Sequence, residues 1–150
     1  MARQTLWAHV VDHANAPHVF RNVQRVQLTE QGDGVRHMEQ SLRWSALLFK
    51  GSFTMTLELR EDAAAAQSRF CMISQGGVMR SMEGMWAVRA SPDRSGVRVV
   101  QTFTAELNVP RSRYFNGITR RVVTQLVRHN MEDLLGELSR RYSPTALASS

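Results

Sequence analysis

The sequence predicts an α+β domain of two layers, a curved antiparallel β-sheet wrapped around a long C-terminal α-helix. Two observations carry this. Between residues 35 and 108, runs of alternating apolar and polar side chains follow one another, with turn residues between them. From about Pro110 the apolar period changes from that of a strand to that of a helix and holds to Arg141. Consecutive strands followed by one helix long enough to cross them form a two-layer arrangement with space between the layers. The length of 150 residues fits a single domain, taken as 1–142, followed by a small and polar flexible tail at 143–150.

The elements follow in order. Leu6 and Val10, with Trp7 and Val11, make one apolar face of a short helix over 4–12. A second helical segment spans 13–20, where Pro17 suits a first turn. Val23, Val26 and Leu28 mark a strand over 22–31 that ends in the turn Gly32-Asp33-Gly34. A strand over 35–44 sets Arg36, Met38, Gln40, Leu42 and Trp44 on one face. The clearest alternation, over 52–60, sets Phe53, Met55, Leu57 and Leu59 against Thr54, Thr56 and Glu58. Glu61, Asp62 and the alanines 63–66 make the next connection. Strands follow at 68–74, 80–90 and 97–108, punctuated by Gly76-Gly77 and by Pro92 to Gly96. Phe115, Ile118, Val122, Leu126, Met131, Leu134 and Leu138 form the stripe of the final helix.

Composition narrows the function classes. The formal charge is +6, yet Lys50 is the only lysine and the arginines are spread from Arg3 to Arg141. There is no basic block and no nucleic-acid motif, so direct nucleic-acid binding is not expected. A solvated basic surface is, with contact to anionic membrane or acidic partners as its outer reach. The N-terminus is too polar for a signal peptide, and no apolar run approaches the ~18 residues of a membrane span. Cys71 is alone, which suits a reducing compartment and a small buried hydrophobe. A soluble, cytoplasmic protein is expected.

Leu6-Trp-Ala-His-Val-Val-Asp-His-Ala-Asn-Ala-Pro-His-Val-Phe-Arg-Asn-Val23 resembles the opening helices of the START-like (SRPBCC) superfamily, which includes polyketide cyclases, Bet v 1-like proteins and coenzyme Q-binding proteins. Met82-Glu-Gly-Met-Trp86 is similar to its Gly-x-Trp strand, and Val97–Leu107, Pro110 and the long helix resemble its last strand and gripping helix. The resemblance implies a helix-grip fold and an apolar ligand cavity. It also implies a strand before the first helix, where this chain offers only Met1–Thr5. The first strand is therefore expected to be missing, which would expose a sheet edge and favour a homo-oligomer.

Candidate chemistry is sparse. His9 and His13 lie four apart, but no Glu general base and no third ligand accompany them, so a polar surface face is expected rather than a metal. No nucleophile turn is present. Glu61-Asp62 and Glu132-Asp133 are adjacent pairs whose side chains diverge, which fits surface solvation. The inferred inner faces are more informative. Trp44, Phe53, Met55, Met72, Met82, Trp86 and Phe103 on the sheet, with Ile118 and Val122 on the helix, suit an adaptable apolar pocket. Gln40, Arg80 and Gln101 fall on the same faces, where a polar group needs a partner. They are the candidates to orient a ligand's oxygen atoms. The expected function is binding of a hydrophobic small molecule, such as a lipid, quinone or polyketide-like compound, with no cofactor. The alternatives are a cyclase or aromatase and a non-catalytic helper subunit. The inferred inner faces offer no acid or base, which favours binding.

Overall fold

A computed structural model describes residues 2–46, 49–75, 77, 79–93, 96–108 and 113–142; within it the side chains of residues 44–46, 49, 113–116, 118 and 119 are not described. The expected tail at 143–150 lies outside the described residues.

The chain opens with α1 (Arg3–Val10), a single 3-10 turn (His13–Asn15) and α2 (Ala16–Val19). Six strands follow: β1 (Val23–Gly32), β2 (Val35–Ala46), β3 (Phe49–Asp62), β4 (Gln67–Met72), β5 (Met79–Ala90) and β6 (Val97–Leu107). They pair antiparallel in chain order, forming a curved meander whose edges among the described residues are β1 and β6. The Gly32–Gly34 hairpin turn takes positive φ at all three positions, 89°, 53° and 72°, which is why glycines flank an aspartate there. α3 (Arg113–Tyr142) then runs unbroken for 30 residues.

Alternation decides the faces. Met38, Gln40 and Leu42 on β2 and Met55, Leu57 and Leu59 on β3 are all buried, and the register sets Met38 opposite Leu57 and Gln40 opposite Met55. α3 closes this inner face. Leu134 and Leu138 pack with Leu6, Val10 and Val88 at one end, while Val122 and Leu126 meet Leu107 at the other. Polar ties also hold α3 to the N-terminal segment. His9 Nε2 lies 2.8 Å from Tyr142 Oη. The Arg21 backbone N–H donates to Asp133 Oδ2 at 2.8 Å, and its guanidinium donates to Oδ1 at 2.8 and 2.6 Å. Among the described residues no helix is long and apolar enough to cross a membrane.

Two side chains stand where the sequence reading did not put them. Cys71 is exposed rather than buried, because Phe70 takes the inner position on β4 and Cys71 the outer. Arg80 is also on the outside. The register of β5 against β6 shifts between Met79 and Ser81, so Met79 and Met82 are both buried and the simple parity breaks between them. The Arg80 side chain is 59% exposed and lies 4.0 Å from Glu106. It does not face the interior.

Candidate functional site

Between the sheet and α3 lies a cavity of about 100 Å³. The sheet contributes Met38 and Leu42 from β2, Leu57 and Leu59 from β3, Phe70 from β4, Met82 and Trp86 from β5, and Phe103 from β6. α3 contributes Leu126, Asn130 and Leu134, and the N-terminal segment contributes His13 and Phe20. The rings of Phe20 and Trp86 meet tilted at 6.3 Å between centroids, and those of Phe70 and Phe103 at 6.1 Å. This wall is apolar with a few convergent polar groups, the usual make-up of a small-molecule site.

One cross-strand row is different. Glu61 pairs with Ser68, Ser68 with Trp86, and Trp86 with Gln101, so three polar residues share an inner row with one indole. Ser68 Oγ and Gln101 Oε1 are buried without a hydrogen-bond partner among the described residues. Leaving such atoms unpaired costs roughly 1–3 kcal/mol each. Gln40 is buried at 8% exposure in the same wall.

The end of the row carries charge. His13 Nε2 lies 3.0 Å from Glu61 Oε1, and Arg36 donates a short hydrogen bond to the same oxygen. Arg36 also approaches Glu30 at 3.8 Å. Burial pushes the Glu61 carboxyl up, but the hydrogen bonds from His13 and Arg36 outweigh it and hold the group below its ordinary value. It is therefore a carboxylate at neutral pH.

A family model described as polyketide cyclase / dehydrase and lipid transport matches residues 2–135. The chain belongs to this family. Solved structures show the same fold. The Zhui aromatase/cyclase of a Streptomyces species superimposes with a TM-score of 0.77 at 16% identity, over 95% of this chain and 90% of that one. A Thermus thermophilus protein gives 0.68 at 24% identity, over 99% and 91%. A STAR-related lipid transfer protein of Xanthomonas axonopodis gives 0.61 at 17% identity, over 91% and 79%. No curated protein matches the chain in sequence.

Within this polyketide cyclase and lipid transport fold, the residues singled out from sequence divide into groups. Gln40, Met82, Trp86, Gln101 and Phe103 stand in the cavity wall. Met55 is buried in the core behind the wall, and Phe53 and Met72 pack half-buried against that core. Val122 is buried beside Leu126 outside the cavity lining. The side chains of Trp44 and Ile118 lie outside the described residues. Sequence reasoning missed Ser68, His13 and Glu61. The signal for two of them was present. Ser68 shares the parity of Phe70, and Glu61 continues the inner series Leu57, Leu59 by one more step. The surface-solvation reading of Glu61 is corrected, since its side chain is only 20% exposed and holds two partners. His13 is not on an open helix face either. It sits in the 3-10 turn with its side chain 12% exposed, while His9 faces Tyr142 instead.

Proposed function

We propose that the protein binds a hydrophobic, oxygen-bearing small molecule, a lipid, quinone or polyketide-like compound, in the cavity between sheet and α3. The observation that carries this is the pair of buried atoms Ser68 Oγ and Gln101 Oε1, without hydrogen-bond partners among the described residues, in a mostly apolar wall. A bound hydroxyl could meet both, and a carbonyl oxygen could meet the Ser68 hydroxyl. Family membership supports the same class of ligand. The cavity of about 100 Å³ is smaller than the ~150 Å³ void that admits benzene, so a ring-sized or longer ligand reaches the mouth or displaces α3.

Trp86 is the reporter for this reading. Titration of a ubiquinone analogue or a fatty acid should change its fluorescence. Trp86→Ala should weaken binding by roughly 1–3 kcal/mol through lost apolar contact, at constant folded fraction by circular dichroism. A response to neither ligand class in the wild type would turn the reading toward a helper subunit that works through its surface.

A cyclase or aromatase activity is the second reading, and the His13 imidazole in the cavity wall favours it. A cytoplasmic location belongs to the same proposal, supported by a single exposed thiol at Cys71. Contact with anionic membrane rests on the net charge of +6. Self-association rests on the open edges of β1 and β6. A strictly monomeric sedimentation profile at high concentration would remove the last of these.

A further inference from the structure

The outer face of the sheet, turned away from α3, carries two neighbouring rows of opposite charge. In the first row Glu58 of β3 pairs with Cys71 of β4, and Cys71 with Glu83 of β5. In the second row Arg60 of β3 pairs with Arg69 of β4, and Arg69 with Met85 of β5. The rows are two residues apart along each strand, about 7 Å. An open groove of about 450 Å³ lies over them. Glu58 is met within its own chain, where Arg60 Nε donates to it at 2.7 Å. Arg69 and Glu83 are exposed, and their side chains make no ion pair or hydrogen bond among the described residues.

This pattern selects its partner. A uniformly acidic surface, an anionic bilayer included, is repelled by the glutamate row, and a uniformly basic one by the arginine row. A second copy of the chain fits both. A two-fold axis lying in the face, along the rows and midway between them, sets each row on the opposite row of the other copy. Glu58 then comes over Arg60 of the other copy. Glu83 comes beside the other copy's Arg69, offset by one strand spacing of about 4.8 Å. Cys71 comes beside the other copy's Met85, so an apolar centre lies within a charged rim. We propose that this face docks on a second copy of the chain, forming a back-to-back dimer in which Glu83 of each copy pairs with Arg69 of the other. The open edges of β1 and β6 take no part in this contact, and the cavities and α3 of both copies stay outside it.

Sedimentation velocity over a range of protein concentrations tests the contact. Wild type should dimerise in dilute salt, and the dimer should weaken at about 0.5 M salt, where surface charges are screened. Arg69→Glu and Glu83→Arg should each weaken it by about tenfold or more, because like charges then face each other across the axis. Both positions are exposed, and circular dichroism checks that both variants fold. The two single variants mixed in equal amounts should associate with each other, since every pair across the axis is again of opposite sign. The double variant Arg69→Glu/Glu83→Arg should recover self-association for the same reason. A wild type that stays monomeric in dilute salt would overturn the proposal. A dimer indifferent to either substitution would also overturn it and leave pairing through the strand edges. Single variants that fail to associate when mixed would show that the two residues do not meet across a two-fold axis.

Discussion

Gly84 shows how tightly the cavity wall is built at the level of single residues. It lies opposite both Phe70 and Phe103 in cross-strand register, and a Cβ there would sit 2.2 Å from the Thr102 carbonyl oxygen and 2.6 Å from Phe70 Cζ. The space left by the missing side chain is already taken by the Phe70 ring, not kept open beside Trp86. Gly84→Ala should therefore destabilise the protein by about 1–3 kcal/mol in urea unfolding, because backbone and ring must both move. Ser68 makes the opposite case. Its hydroxyl is buried at 1% exposure and has no hydrogen-bond partner among the described residues, an arrangement that carries a desolvation cost. Ser68→Ala should raise the unfolding free energy of the free protein in urea, by up to about 1 kcal/mol, and weaken binding of an oxygen-bearing ligand. A mutant that is less stable and binds equally well would mean that the hydroxyl faces water rather than a ligand.

At the scale of elements, α3 depends on a small number of packed leucines. Leu134 is 2% exposed and joins the cluster with Leu6, Val10 and Val88, linking α1, β5 and α3. Leu134→Ala should cost about 2–5 kcal/mol by urea denaturation, since the groups around it come from three elements that cannot all collapse inward. The half-exposed guanidinium of Arg21 meets an Asp133 side chain that is only 10% exposed and also takes the Arg21 backbone N–H. The elements themselves were legible in the sequence. The alternation of Phe53 to Leu59 and the helical stripe from Val122 to Leu138 are local patterns that burial enforces directly. What was not legible needed two elements at once. The register shift at Met79–Ser81 turns Arg80 outward, and nothing in the local pattern announces it. The meeting of His13 with Glu61 joins residues 48 apart in sequence, and no periodicity in either segment encodes that contact.

For the molecule as a whole, the same carboxylate sets a pH dependence. Glu61 titrates below its ordinary value of 4.5 in the folded protein. Its contribution to stability is complete well above 4.5, where the carboxyl is ionised in folded and unfolded chains alike, and it fades as pH falls through the folded value. The melting temperature of wild type should exceed that of Glu61→Gln near neutral pH. That margin should shrink once the solution is acidified below 4.5. A margin that widens on acidification would mean that His13 and Arg36 do not stabilise the anion.

The chain order of the meander has a consequence for how the protein is made. Every strand pairs with its neighbour in sequence, and all six precede α3. A ribosome releases the complete sheet before the element that covers its inner face. During that interval Met38, Leu57, Leu59 and Met82 lack α3, with only the short N-terminal helices beside them, and a nascent chain carries a half-covered apolar concavity into a crowded solution. Chains stalled before Arg113 should recruit chaperones and bind hydrophobic dyes, while chains completed through Tyr142 should do neither. The same interval is when the future cavity is widest, so a bulky ligand present during synthesis could be enclosed by the arriving helix rather than having to pry it open afterwards.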